Sequence, residues 1–191
     1  MKSAKTVRIL TLAPLMALIT LCTLFIFDST LLGGAFLFSL AVLFLTVLPL
    51  LAYPLQRFIP HFKHKGREGQ RSLAMIFAVS GYVLGCLTNL FLSAPASLWF
   101  IYLGYLISGA LILVTNKLLG LRASAHACGV VGPTVILATL GLPIAIFPGI
   151  ALYLAALWAS LKMRRHTVAQ FIGGAIIPIC VLMILSFTMK F

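Results

Sequence analysis

Long runs of apolar residues, separated by short basic gaps, constrain the fold of this chain more than any other feature. A helix of about 20 apolar residues is roughly 30 Å long, which is enough to cross the hydrocarbon core of a bilayer. Apolar residues make up 62% of the sequence and charged residues only 8%, whereas a soluble domain carries about a quarter charged residues. The sequence therefore predicts an all-α, polytopic membrane helix bundle.

Hydropathy divides the chain into seven candidate spans with physical breaks between them. Asp28 is charged, residues 93–97 form a small-residue turn with a proline, and residues 141–143 are a Gly-Leu-Pro hairpin signal. The spans cover residues 9–27, 31–53, 72–92, 97–115, 126–142, 144–161 and 168–189. Because proline is tolerated in membrane helices, the break at residues 141–143 decides between seven spans and six.

The N-terminus resembles a signal peptide only superficially. Lys2, Lys5 and Arg8 precede the first apolar run. That run is too long for a typical h-region, and residues 27–30 are a poor small-x-small cleavage site. We therefore expect an uncleaved first span.

The cations are distributed asymmetrically when the spans alternate from a cytoplasmic N-terminus. Thirteen of the fourteen Lys and Arg then lie on one side, in the gaps at residues 1–8, 56–71, 116–126 and 162–166. The opposite side keeps only Lys190. The positive-inside rule predicts a multi-pass protein of the plasma (inner) membrane, with these four gaps in the cytoplasm.

No internal repeat divides the chain, so residues 1–191 are expected to form a single integral membrane domain. Residues 1–115 hold the N-terminal spans and the basic loop 56–71, and residues 116–191 hold the candidate catalytic helices. The basic loop, with its two histidines, is expected to lie against anionic lipid headgroups, where each cation contributes about 1 kcal/mol. The oligomeric state is left open.

Asp28 and Glu68 are the only acidic residues in the sequence. Carboxylate-held metal sites are therefore nearly excluded, as are phosphoalcohol transferases that need clustered aspartates. The four cysteines lie singly in separate apolar segments, which indicates packing rather than disulfides or zinc ligation. Channels and proton pumps are disfavoured, because no acid lies inside the spans apart from the boundary residue Asp28. We expect no metal, no cofactor and no nucleic-acid partner.

Two of the basic gaps hold a histidine beside the start of an apolar segment. Ser124 is a natural N-cap, and His126 follows in the first turn of the fifth span. Lys117 and Arg122 precede it. A helix N-terminus offers unpaired N–H groups to an anion, and arginine adds a bidentate fork for phosphate oxygens. The pattern indicates a phosphate site.

The second histidine lies at the start of the seventh span. His166 opens this span, and Gln170 lies four residues on, hence on the same helix face. Arg164 and Arg165 precede His166, where cations also complement the dipole at the end of the sixth span. Because the fifth and seventh spans begin at the same surface in an alternating topology, we expect the two histidines to converge.

Two converging imidazoles suit phosphoryl transfer without a metal ion. One imidazole attacks phosphorus while an acceptor holds its other ring nitrogen, and the second, protonated, delivers a proton to the leaving alkoxide. Guanidinium and ammonium groups stabilise the charge on the equatorial oxygens.

At these residues the chain resembles the type 2 phosphatidic acid phosphatase superfamily, membrane lipid phosphatases related to vanadium haloperoxidases. The pattern of that family is K-x6-R-P, then P-S-G-H, then S-R-x5-H-x3-D. Ser124-Ala-His126 is similar to the core of the second motif, and His166 to Gln170 is similar to H-x3-D except at the last position. The resemblance covers roughly residues 116–175 and implies the lipid-phosphatase core, which usually has six spans.

The resemblance also implies roles for individual residues. His166 is the nucleophile that forms a phosphohistidine, and His126 is the general acid. Lys117, Arg122 and Ser124 bind phosphate, although the first motif is compressed here and lacks its proline.

The third motif departs from the family pattern at two positions. Ser160 occupies the place of its arginine, so Arg164 or Arg165 has to substitute from a different helix face. Gln170 replaces the carboxylate that orients the nucleophile, and a neutral amide can still fix the tautomer. The hypothesis is a metal-independent phosphatase acting on a lipid phosphate or diphosphate monoester. The alternative is a non-catalytic protein that binds or transports lipid phosphates on the same scaffold.

Overall fold

The computed structural model describes residues 1–189, except for the side chain of Arg67. Regular structure in this part of the chain is helical throughout, which confirms the all-α prediction. The longer helices are α1 (Lys2–Leu10), α2 (Ala13–Phe27), α3 (Gly34–Phe58), α4 (Gly66–Phe91), α5 (Ala96–Lys117), α6 (Ala125–Thr139), α7 (Ile146–Lys162) and α8 (Val168–Thr188). A short helix, Pro60–Lys63, lies between α3 and α4. Lys190, expected on the opposite face, lies outside the described residues.

Five of these helices are long and apolar enough to cross a membrane, namely α3, α4, α5, α7 with the turn before it, and α8. Helices α1 and α2 together make a sixth candidate, which is bent by 48°. The segment expected as the fifth span is α6, which has only 15 residues and is about 22 Å long, short of a bilayer core. Within residues 1–189, five or six spans therefore meet the length requirement, rather than seven.

The predicted breaks are confirmed. Helix α2 ends before Asp28, whose carboxylate accepts the N–H of Thr30 at 2.9 Å and caps a 3₁₀ turn. Helix α4 ends at Phe91, and α5 begins at Ala96 after the proline-containing turn. A second 3₁₀ turn, Pro143–Ala145, separates α6 from α7. The hairpin signal at residues 141–143 therefore ends one helix instead of kinking it.

The first basic gap is a helix rather than the expected loop. Helix α1 packs against α7, and its Ala4 is completely buried, while Lys2 and Lys5 are exposed. Pro14 lies in the first turn of α2. If the helix continued, its ring would clash with the carbonyl of Leu10, so α1 ends there and the chain bends.

Helix α6 occupies the centre of the bundle. It packs against α2, α7 and most extensively α8. One buried cluster draws on all four helices and comprises Met16, Ala127, Val130, Ala156 and Phe171. Two of its members, Ala127 and Phe171, directly follow His126 and Gln170 in the chain. A larger core joins α2, α3, α5, α6 and α8.

Candidate active site

The N-termini of α6 and α8 are tied together through Ser124. Its hydroxyl accepts the N–H of Ala127 at 3.3 Å, which confirms the predicted N-cap. Its own N–H donates to the carbonyl of Gln170 at 2.9 Å. Gly174 allows this close approach, since a Cβ there would collide with the Ser124 carbonyl oxygen. The two helix starts that carry the histidines therefore meet at one end of the bundle.

His126 is half-buried in the first turn of α6, and its ring contacts the end of α1. Its Nε2 lies 2.9 Å from Oγ1 of Thr11, a buried side chain. The Thr11 hydroxyl donates its single hydrogen to the carbonyl of Val7 at 2.8 Å. Its oxygen is therefore the acceptor for His126, which must carry a hydrogen on Nε2. In the neutral imidazole, the acceptor nitrogen is then Nδ1.

His166 stands before α8 rather than opening it, which corrects the expected placement of this residue, whereas the predicted start of the span at residue 168 is confirmed. Thr167 is the N-cap, and the helix begins at Val168. Thr167 Oγ1 accepts the N–H of Gln170 at 3.3 Å, and Gln170 Oε1 accepts the N–H of Thr167 at 3.2 Å. This reciprocal capping box folds the glutamine side chain back toward the residue that precedes the cap.

The same amide oxygen holds the His166 ring. Gln170 Oε1 lies 3.3 Å from Nδ1 of His166 and accepts its hydrogen. The contact arises from the capping box and not from two residues stacked on one helix face, because His166 is outside the helix. With the hydrogen on Nδ1, the Nε2 lone pair of a neutral His166 points away from its orienting partner and is available to an electrophile.

Burial lowers the pKa of the half-buried His166, because burial disfavours the charged imidazolium. The hydrogen bond that His166 donates to the Gln170 amide oxygen opposes this effect and raises the pKa. The guanidinium groups of Arg71, Arg8 and Arg165 lower it further by charge repulsion. His166 therefore stays neutral to a lower pH than an ordinary histidine.

Arg8 acts electrostatically on both imidazoles, and His166 acts on His126. His126 and His166 are 40 positions apart in the sequence, yet the charge of Arg8 lowers the pKa of both rings. The half-buried Arg8 side chain belongs to α1, so three separate elements contribute charged or titratable groups to one place.

Lys117 and Arg122 flank the connection between α5 and α6, and both are exposed. Asn116 Nδ2 donates to the carbonyl of Ala123 at 3.0 Å, which holds this connection against the end of α5. Arg122 has φ 54, an uncommon conformation for a residue with a side chain. The two cations thus lie on the exposed connection that leads to Ser124, which we call the rim of the site.

Arg164 and Arg165 follow the end of α7. The N–H of Arg164 donates to Leu161 O at 2.9 Å, and that of Arg165 donates to Ser160 O at 3.0 Å. These bonds make a Schellman motif with Arg164 in the left-handed region, φ 49, where glycine is usual. Arg164 is exposed, while the half-buried Arg165 acts on His166.

Sequence analysis missed three contributors to this site. It assigned Arg8 and Arg71 only to membrane topology, and it gave Thr11 no role. The predicted topology could have indicated Arg8 and Arg71, because it places the gaps at residues 1–8 and 56–71 on the same membrane face as both histidines. The histidines of the basic segment differ from those of the site, because His61 and His64 are exposed on the surface.

The chain matches no protein-family model, and neither a curated protein nor a solved structure matches it. Within residues 1–189, no three His, Cys, Asp or Glu side chains are grouped as a metal site would require. The four cysteines are free. The groups available for chemistry at this site are therefore the two imidazoles, the guanidiniums around them and the amides at the two helix starts.

Proposed function

We propose that this protein is a membrane lipid phosphatase that hydrolyses a lipid phosphate or diphosphate monoester through a phosphohistidine at His166. The observation that carries this proposal is the fixed imidazole of His166, whose Nδ1–H is bound by Gln170. The guanidinium groups of Arg8, Arg71 and Arg165 act electrostatically on this ring, and His166 in turn acts on His126. This arrangement has a nucleophile, an orienting acceptor, a proton donor and a site for an anion.

In the proposed reaction, Nε2 of His166 attacks phosphorus, and the bond between phosphorus and the lipid oxygen breaks. In the free protein, burial and the charges of Arg8 and His166 lower the pKa of His126 to about 4, so the negative charge of the bound phosphate has to raise that pKa. His126, as an imidazolium beside the bound phosphate, then gives the proton on Nδ1 to the leaving oxygen while Thr11 holds its Nε2–H. Water then attacks the phosphohistidine, and His126 accepts the proton from that water. Phosphate leaves, and both imidazoles return to their starting states.

Cations and helix N-termini take the place of a metal ion in stabilising the phosphoryl oxygens. Arg71 and Arg165 act on the His166 side of the site, and we assign Lys117, Arg122 and Arg164 to the rim that attracts the anionic headgroup. The hydroxyl of Ser124 is completely buried and caps α6. We therefore assign Ser124 to presenting the helix N-terminus rather than to direct contact.

We further propose that the site faces the cytoplasm, at the inner leaflet of the plasma (inner) membrane. Support comes from the charge distribution, since the N-terminus and the basic gaps carry almost all the cations. Single cysteines introduced at residues 60–66 and 118–122 test this orientation. Labelling by an impermeant maleimide in intact cells contradicts it, and labelling only after permeabilisation agrees with it.

The test of the activity is phosphate release from a panel of lipid phosphates, measured in detergent with EDTA. We expect release by the wild type and its loss in His126→Ala and His166→Ala. His61→Ala and His64→Ala are matched controls on the exposed basic segment, and they should retain activity. Release that persists in His166→Ala refutes the phosphohistidine mechanism.

Retention of lipid phosphates without hydrolysis is the second candidate function. It is favoured by Gln170, because a neutral amide stabilises an imidazolium less well than a carboxylate does. In that case the wild type binds lipid phosphates with EDTA present, releases no phosphate, and loses binding when the guanidinium groups are removed.

A further inference from the structure

We propose that α1 belongs to the site, with Arg8 binding the phosphate of the substrate and Thr11 positioning His126 as the proton donor. This proposal is supported most directly by the 2.9 Å contact between Thr11 Oγ1 and His126 Nε2, which joins the end of α1 to the start of α6. The inference rests on the proposed function for the reaction, but its phosphate-binding part does not require turnover.

The geometry of α1 directs Arg8 toward the histidines. Arg8 precedes Thr11 by three residues, and positions three apart share one side of a helix. Since Thr11 contacts His126, this side of α1 turns toward α6. Arg8 is half-buried there and acts electrostatically on both imidazoles. A phosphate held between the two rings thus meets the Arg8 guanidinium, whose planar fork suits two phosphate oxygens.

The bend between α1 and α2 creates this arrangement. A straight helix through Pro14 would carry α1 away along the axis of α2, whereas the 48° bend allows α1 to pack along α7. Ala4 is buried in that contact, and Lys5 remains exposed to solvent. Arg8 and Lys5 are therefore cations on the same short helix in two different environments, which provides a matched control.

Thr11 acts through His126 and is a positioning residue. Its hydrogen is committed to the Val7 carbonyl, so it can only accept from the His126 ring. This bond fixes the ring orientation and leaves Nδ1 as the nitrogen that exchanges a proton with the substrate. Thr11→Val keeps the shape of the side chain and removes the acceptor, and Thr11→Ser restores it.

The Arg8 part is tested by binding of radiolabelled inorganic phosphate to the full chain in detergent. We expect Arg8→Gln to weaken binding by at least about tenfold and Arg8→Lys to recover part of it. Lys5→Gln should bind as the wild type does, and added guanidinium should partly rescue Arg8→Gln. Equal affinity in Arg8→Gln and the wild type, or no phosphate binding by the wild type, overturns this part.

The Thr11 part is tested by comparing two substrates of different leaving-group quality. With a lipid phosphate, whose alkoxide needs a proton, Thr11→Val should lower kcat at least about tenfold with little change in KM. With p-nitrophenyl phosphate, which leaves without a proton, the same variant should be within about twofold of the wild type. Equal losses on both substrates, or no rescue by Thr11→Ser, overturn the positioning role.

These outcomes separate the inference from the proposed function. A wild type that releases phosphate from neither substrate refutes the proposed function, and the role of Thr11 fails with it. The binding measurement then decides the role of Arg8 alone. A wild type that hydrolyses lipid phosphate while Arg8→Gln and Thr11→Val behave normally refutes only the inference.

Discussion

Replacing Gln170 by glutamate is expected to move the acid limb of the pH–rate profile to higher pH. In the proposed mechanism the nucleophile is neutral His166, so activity should be lost as the pH falls through its pKa. Burial lowers that pKa, and the hydrogen bond that His166 donates to Gln170 raises it. A carboxylate in the same place favours the imidazolium more strongly than an amide does, and therefore raises the pKa further.

The geometry of the hydrogen bond sets the size of the effect. At 3.3 Å the bond is long, and the amide oxygen is shared with the N–H of Thr167 at 3.2 Å. Its net contribution is therefore about 0.5–1 kcal/mol, which moves the limb by roughly half a pH unit when the bond is removed in Gln170→Met. An adjacent carboxylate at this half-exposed site is expected to move the limb in the opposite direction by about one pH unit.

The fold should tolerate both changes, and glutamate is in fact the usual residue at the third position of a capping box. The assay is kcat/KM for phosphate release as a function of pH, because this ratio reports ionisations of the free protein. The acid limb should move to higher pH in Gln170→Glu and to lower pH in Gln170→Met. Movement in the same direction in both variants, or an unmoved limb, refutes the assignment of Gln170 as the orienting partner.

Two further substitutions test the packing and the charge around the site. Gly174→Ala places a Cβ against the Ser124 carbonyl oxygen, and should destabilise the protein by about 1–3 kcal/mol and lower its Tm in detergent. Gly173→Ala, where a Cβ meets nothing within 4 Å, is the control and should leave Tm unchanged or raise it. Arg71→Gln removes a charge that lowers the pKa of His166, so the acid limb should move to higher pH without a change in Tm. A limb that moves to lower pH contradicts this sign.

Local signals in the sequence predicted most of the helices and the breaks between them, but not helix α1 or the shortness of α6. Apolar length predicted the five long membrane segments, because each helix satisfies its own backbone hydrogen bonds whatever its neighbours are. The break at residues 141–143 and the cap at Ser124 depend on one or two residues and were confirmed. The predicted start of the last span, residue 168, matches the start of α8, but His166 was wrongly expected to open the helix, because it resembles a first helical residue until the Thr167 capping box is considered.

Contacts between distant segments required the tertiary structure. Thr11 and His126 are 115 residues apart, and their contact depends on the bend before Pro14 and on the packing of α1 against α7. Hydropathy does not show which side chains of two helices will meet, because helices with the same apolar pattern can turn different faces toward their neighbours. The sequence by itself determined a basic-rimmed helical membrane protein with two histidines at helix starts. Which cations and hydroxyls surround those histidines was decided only when the helices packed, since packing angles and close approaches place side chains from separate helices together.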